Sequence, residues 1–212
     1  MLYLPWAVAL AVLIFVVHRF SGQLAHPEGE FGRNWMPKLL NNGNRKLLDA
    51  ALHAMDARPG ERIADIGFGG GYAIDGLLRQ VAPAKPIGVE VSETMVDVGL
   101  ERWDDAVDLY LATVTAMPLT TGSLDGVLTV NTIYFWKDPG QALAEIRRIL
   151  KPGGRLVLGL RHGMAMRLAP ITWFRFRLYA QPELDALLRQ AGFEPHFESP
   201  GSGELIAISL AV

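Results

Sequence analysis

Two acidic residues near glycines, and a handful of titratable side chains further on, are the parts of this chain whose types and spacing could do chemistry. Asp65, Gly67, Gly69 and Gly71 alternate within RIADIGFGGGY (residues 62–72), with Phe68 between two of the glycines. Glycine has no Cβ, so a ligand can approach the main chain there, and the N–H groups that open a helix attract electron-rich atoms. A second acid, Glu90, closes the apolar run PIGVEV (residues 86–91). A carboxylate at such a strand end can accept hydrogen bonds from both hydroxyls of a ribose. Tyr134, His162 and Tyr179 are the side chains that could move a proton near an acceptor, although packing or simple exposure is the commoner role for each. The chain has no cysteine, which excludes disulfides, cysteine-ligated zinc and thiol catalysis, and its 5 histidines lack metal-ligand spacing, so no metal is expected.

The elements that must position these residues follow from periodicity. Residues 62–66 are a short strand, and Ala73, Ile74, Leu77, Leu78 and Val81 recur at helical spacing behind the glycines. The unit is therefore strand, tight turn, helix. A dinucleotide fingerprint would need its third glycine at position 72, which is Tyr72. Upstream, a helix capped by Asn44 carries Leu47, Leu48, Ala51, Leu52 and Met55 and stops at Pro59-Gly60. Downstream come strands at 86–91, 107–112, 126–131 and 155–160, separated by a Ser92-capped helix over 93–103 and a second helical stripe that ends at the Lys151 to Gly154 turn. A helix from Pro182 to Gly192 and a hairpin of 193–198 with 204–212 close the chain. The fold class is α/β, a seven-stranded, mostly parallel sheet with an antiparallel edge strand. Ligands in such sheets lie beyond the carboxyl strand ends, between the first and fourth strands.

Three stretches carry a family resemblance. These are the Asp65-x-Gly67-x-Gly69-x-Gly71 loop, the run from Thr113 to Asp125 with Met117, Pro118, Ser123 and Asp125 in frame, and AEIRRILKPGGRLVLG (residues 144–159). Together they resemble the class I S-adenosylmethionine-dependent methyltransferases, most nearly the small methyltransferase type 11-like members that work in quinone biosynthesis as C-methyltransferases. The resemblance covers 44–212. It implies a Rossmann-like fold and S-adenosylmethionine as cofactor, held by Asp65, Gly67, Phe68, Gly69, Gly71, Glu90, Val91, Met95, Thr113, Val114, Asn131 and Tyr134. It also implies in-line displacement at the sulfonium methyl, a reaction in which the protein mainly positions the nucleophile and excludes water. Thr113 departs from the family, which places an aspartate there for the adenine amino group; a threonine accepts one hydrogen bond without charge. Two alternatives stand beside this reading. One is a nicotinamide-dependent oxidoreductase, disfavoured by Tyr72, and the other is a membrane-tethered binding protein that keeps the fold without catalysis.

Residues 1–17 carry no charged side chain, and with His18, Arg19 and Phe20 they make a helix of about 30 Å, the thickness of a bilayer core. The expected organisation is a membrane-anchor helix over 1–20, with Tyr3 and Trp6 at one interface and Phe20 near the other (a cleaved signal or a helix buried in an oligomer interface being the alternatives), a linker without period or a flap that closes on the site over 21–43, and a methyltransferase domain over 44–212. The cations His18, Arg19, Arg33, Lys38, Arg45 and Lys46 follow the apolar run, which leaves the domain in the cytoplasm. A net charge of −2 offers no footprint for nucleic acid. Residues 161–180 contain no acid and set Arg161, Arg167, Arg175 and Arg177 among Trp173, Phe174, Phe176 and Tyr179. Such a segment can lie on an anionic membrane or cover a substrate, and it can also be an ordinary insert. The expected partner is a small apolar or amphiphilic acceptor, lipid- or quinone-like, that reaches the site from the bilayer beneath 161–179.

Overall fold

The computed structural model describes residues 4–212, so the Tyr3 expected at a membrane interface lies outside the described residues. Strands β1 (Ile63–Ile66), β2 (Ile87–Glu90), β3 (Asp108–Leu111), β4 (Leu124–Val130), β5 (Leu150–Arg161), β6 (Phe193–Glu198) and β7 (Glu204–Ala211) form one sheet in the order β3-β2-β1-β4-β5-β7-β6. β1 to β5 pair in parallel, with Asp65 opposite Gly88 on one side and Leu128 on the other. The antiparallel strand is β7, one place in from the edge, because the terminal hairpin folds back between β5 and β6.

Both faces of the sheet are covered, which is why the central strands read as unbroken apolar runs. Helices α3 (Met36–Met55) and α4 (Tyr72–Gln80) bury Leu47, Ala51, Met55 and Leu77 against Ile63, Leu128, Val157 and Ile206. On the other face α6 (Pro139–Ile149) and α8 (Gln181–Gln190) bury Leu143, Ile146, Leu184 and Leu188 against Val127, Leu156 and Leu158. Helix α5 (Glu93–Trp103) starts at Ser92, whose side chain accepts from the N–H of Met95 as expected of a cap.

Three expectations change. The helix predicted from Asn44 begins at Met36, with Pro37 in the first turn, where a missing N–H is harmless. Residues 21–43 are helical almost throughout: α1 (Leu4–Ala25) runs unbroken past position 20, and α2 (Gly29–Asn34) fills the interval to α3. Lys151 to Gly154 is a bulge inside β5 rather than a turn before it, since Leu150 pairs with Leu124 and Arg155 with Gly126.

The basic, aromatic segment divides in two. Phe176 stacks with Tyr134 and Phe135 at centroid distances of 5.3 and 4.7 Å, and Tyr179 is buried in the core. Trp173 and Phe174, beyond the short helix α7 (Met164–Leu168), face solvent. So do Trp6, 75% exposed, and the apolar residues of α1 from Val8 to Val16. Among the described residues α1 is the one helix long and apolar enough to cross a membrane, by length and composition.

Candidate functional site

The carboxyl ends of β1, β2 and β4 open into a cavity of about 610 Å³. Asp65 and Glu90, 3% and 6% exposed, both reach its wall. Burial, and after it the charge of Glu90, pushes the Asp65 carboxyl up to about 8. Burial also raises Glu90, against the pull of three backbone N–H groups: Gly69 donates to Oε2 at 3.1 Å, and Val91 and Ser92 donate to Oε1 at 2.7 and 3.1 Å. Both lone-pair sites of Oε1 are thereby taken, and Oε2 keeps one for a ligand hydroxyl. Among the described residues none donates to the Asp65 carboxyl, which is buried in the cavity wall. Two buried carboxyls in one wall favour a ligand that brings positive charge and hydroxyl donors, and disfavour a diphosphate.

The glycine loop splits by role. Gly67 and Gly69 line the cavity; Gly69 is held at φ 49° with its N–H on Glu90, and a Cβ there would sit 3.1 Å from Leu40 of α3. Gly71, at φ 77°, caps α4 and is not part of the wall. A Cβ on Gly71 would strike the ring of Trp103, which is fixed by an Nε1 bond to Asp75 of 2.9 Å and by edge contact with Phe68 at 5.8 Å.

Of the other residues expected to hold cofactor, Phe68, Val91, Thr113, Val114 and Asn131 join Asp65, Gly67, Gly69 and Glu90 around the cavity. Met95 does not. It is fully buried behind Phe68, because its place in the first turn of α5 turns it into the core. Thr113 sits on an exposed rim with its hydroxyl 3.3 Å from that of Thr115. Asn131 takes a left-handed conformation, φ 58°, and ties three elements together: its amide donates to Asn44 of α3 at 3.0 Å, and its carbonyl oxygen accepts from the Arg161 N–H at 3.1 Å and the Tyr134 hydroxyl at 3.0 Å.

None of the three proton-transfer candidates reaches the cavity wall. Tyr134 lies in a 3-10 turn that directs Phe135 at the cavity instead; its hydroxyl is engaged with Asn131 and, at 2.7 Å, with the Arg161 carbonyl, and burial pushes the phenol up. It is a tie between β4 and β5. Tyr179 is enclosed in the core with its hydroxyl unpaired, its phenol likewise raised by burial, and Arg177 stacked 5.0 Å over the ring. His162 is half-buried beyond the end of β5, where its backbone N–H binds Gly203.

The wall opposite the strands comes largely from residues 21–43, expected as a linker or a flap that closes on the site, and its individual residues were not foreseen. Leu24 to Pro27, at the end of α1, and Leu40, Asn41, Asn44 and Leu48 of α3 close the cavity opposite the strands, and Trp136 and Lys137 complete it. Asn41 donates to the Gly70 carbonyl at 2.9 Å, and the buried Ser92 hydroxyl donates to the Pro27 carbonyl. Leu40, Asn44 and Leu48 are spaced one helical turn apart, a signal that was present but diluted by its own polar members.

Comparison with known proteins agrees with this geometry. Residues 64–158, from β1 to within β5, match the family described as a methyltransferase domain. A 37.1 kDa protein of transposon TN4556 from Streptomyces fradiae is 41% identical over 118 residues, which cover 54% of this chain and 34% of that protein. A demethylmenaquinone methyltransferase from Symbiobacterium thermophilum is 36% identical over 106 residues, covering 47% of this chain and 42% of the relative. The chain thus spans less than half the length of either. A structure of a SAM-dependent methyltransferase from Aquifex aeolicus superposes with a TM-score of 0.72 at 20% identity, covering 83% of this chain and 97% of that one, which speaks for the fold. Cavity, sheet order and sequence match converge on the same strands: residues 64–158 are similar to the methyltransferase-domain family, on a sheet shared with solved SAM-dependent methyltransferases.

Proposed function

We propose that the chain methylates a small apolar or amphiphilic acceptor, lipid- or quinone-like, with S-adenosylmethionine bound in the 610 Å³ cavity, and that α1 anchors it to a membrane with the domain on the cytoplasmic side. The observation that carries the cofactor assignment is the pairing of Asp65, buried and without a donor, with Glu90. S-adenosylmethionine supplies what that wall lacks: an ammonium for Asp65, a ribose hydroxyl for the open site on Glu90 Oε2, and a sulfonium whose charge favours the ionised form of both carboxyls. Val91, Thr113 and Val114 then flank the adenine, and Gly67 and Gly69 let the methionine end lie close to the main chain. When bound, the cofactor offers an electrophilic methyl. The chain's own part is to orient the acceptor and keep water out, using Leu24, Leu40, Phe135 and Trp136 as apolar walls.

A nicotinamide cofactor fits less well, since its diphosphate would meet both buried carboxyls. The relative that acts as a demethylmenaquinone methyltransferase supports a quinone-like ring as acceptor. The membrane reading is supported by the uncovered apolar surface of α1 and by the cations that follow it. The acceptor's route now runs beside the end of α1, because residues 24–27 line the cavity whereas residues 161–179 do not.

The test uses full-length protein, a host lipid extract and methyl-labelled S-adenosylmethionine. Label is expected in the organic phase, and S-adenosylhomocysteine, not NADH, is expected to raise the melting temperature. Label appearing only in water-soluble metabolites would overturn the acceptor class, and stabilisation by NADH alone would overturn the cofactor.

A further inference from the structure

Where α1 leaves its apolar stretch, a second concavity of about 210 Å³ is lined by His18, Arg19, Gly22, His26, Glu28 and Arg175, with Gln23 between them. Its two guanidiniums come from distant parts of the chain. Arg175 is brought to α1 by the edge contact of Phe174 with His18, at 5.2 Å, and its guanidinium lies over Gly22, where a Cβ would be 3.6 Å from the Arg175 Nε. Among the described residues neither Arg19 nor Arg175 is within ion-pair distance of a carboxylate, although most other arginines are. The Gln23 amide is used on the backbone of Glu28, with bonds of 3.1 and 3.3 Å, which fixes the loop below the concavity.

The arrangement suits a particular anion. Paired guanidinium forks match the tetrahedral oxygens of phosphate. Two arginines and Glu28 leave one formal positive charge with the histidines neutral, which matches the single negative charge of a phosphodiester better than a doubly charged phosphate. Position narrows the source. The concavity begins at His18, one residue after the unbroken apolar run of α1 ends at Val17, and Trp173, 66% exposed, is two positions before Arg175 in the chain. With the first charged or titratable side chains of α1 at His18 and Arg19, the stretch from His18 to Glu28 falls at the level of lipid headgroups, and an exposed tryptophan favours that same layer.

We infer that this concavity binds the phosphodiester of an anionic phospholipid, seated between Arg19 and Arg175 against α1. The inference rests on the reading of α1 as a bilayer helix, and its test separates the two. Full-length protein in a non-ionic detergent is titrated with dihexanoyl phosphatidylglycerol, dihexanoyl phosphatidylcholine or inorganic phosphate, and bound ligand is counted by native mass spectrometry. One phosphatidylglycerol per chain is expected, with at least about tenfold weaker binding in the Arg19→Gln/Arg175→Gln double variant and no change in Arg167→Gln, which alters a basic residue of the same segment outside the concavity. The double variant should keep the parent's thermal response to S-adenosylhomocysteine, showing that the cofactor domain is folded. Equal phosphatidylglycerol binding by parent and double variant overturns the site, and displacement by inorganic phosphate at comparable concentration overturns the lipid as its source. High-salt washing of membranes reports on α1 independently. If salt releases the parent while phosphatidylglycerol binding still depends on both arginines, the spanning reading falls and the phosphodiester site stands.

Discussion

Asp65 carries a pH signature. Its folded-state value of about 8 lies above the ordinary carboxylate value of 3.8, and an incoming ammonium pairs with the ionised form. Affinity for S-adenosylhomocysteine should therefore climb with pH, by up to about tenfold per unit near pH 6 to 7, and level off around 8. Asp65→Asn should flatten that curve and weaken binding at pH 8, as calorimetric titration would read. The ligand-free protein should show the opposite trend. Because folding raises the value, ionisation opposes the folded state, so stability falls as pH rises from about 4 towards about 8; in melting experiments Asp65→Asn should lose less over that window. Tyr134→Phe is a different kind of change. It strips a partner from Asn131 and from the Arg161 carbonyl, so a stability loss of about 1–3 kcal/mol is expected with turnover per folded molecule preserved. A hundredfold loss of turnover at an unchanged melting temperature would return the phenol to the chemistry. The acids were legible because carboxylates at strand ends beside a glycine turn have few structural uses. The placement of Tyr134 and Met95 away from the cavity wall was not legible, because one step along a 3-10 turn or a first helical turn decides between cavity and core, and residue type does not encode that step.

Among the elements, the strands and the helices behind them were readable wherever apolar periodicity was clean, and the register of the sheet brought Asp65, Glu90 and Asn131 together as anticipated. The three N-terminal helices were legible only in their apolar first half. Asn41 and Asn44 face the cavity rather than the core, so they interrupt the hydrophobic stripe that would have announced α3, and Pro27 and Gly29 break α1 from α2. The bulge in β5 escaped notice because Lys-Pro-Gly-Gly ordinarily ends a helix. The N-terminal wall can be tested by stepwise deletion. A chain that begins at Gly22 keeps Leu24 to Pro27 and the Pro27–Ser92 and Arg33–Glu101 ties, and should bind S-adenosylhomocysteine nearly as the parent does. One that begins at Met36 loses all three and should bind at least about tenfold more weakly, by the lost enclosure and the freed loop at Ser92. Equal affinity of the two chains would mean that residues 22–35 contribute no wall in solution.

Over the whole molecule, the same helix presents an uncovered apolar surface at one end and forms part of the cavity at the other. Full-length protein should accordingly stay with membranes in high salt, which screens surface charge but leaves a buried apolar helix in place, and release by salt alone would exclude a spanning helix. The span from Phe20 to His26 is only about 9 Å of helix, so with α1 in the bilayer the cavity mouth hangs within a lipid headgroup's reach of the hydrocarbon. Enzyme and acceptor then meet by lateral diffusion in two dimensions, and the quantity that sets the rate is the acceptor's mole fraction among the lipids, not its amount per volume of solution. Adding inert phospholipid at a fixed total amount of acceptor should slow turnover in proportion to the dilution, whereas adding buffer should leave it unchanged.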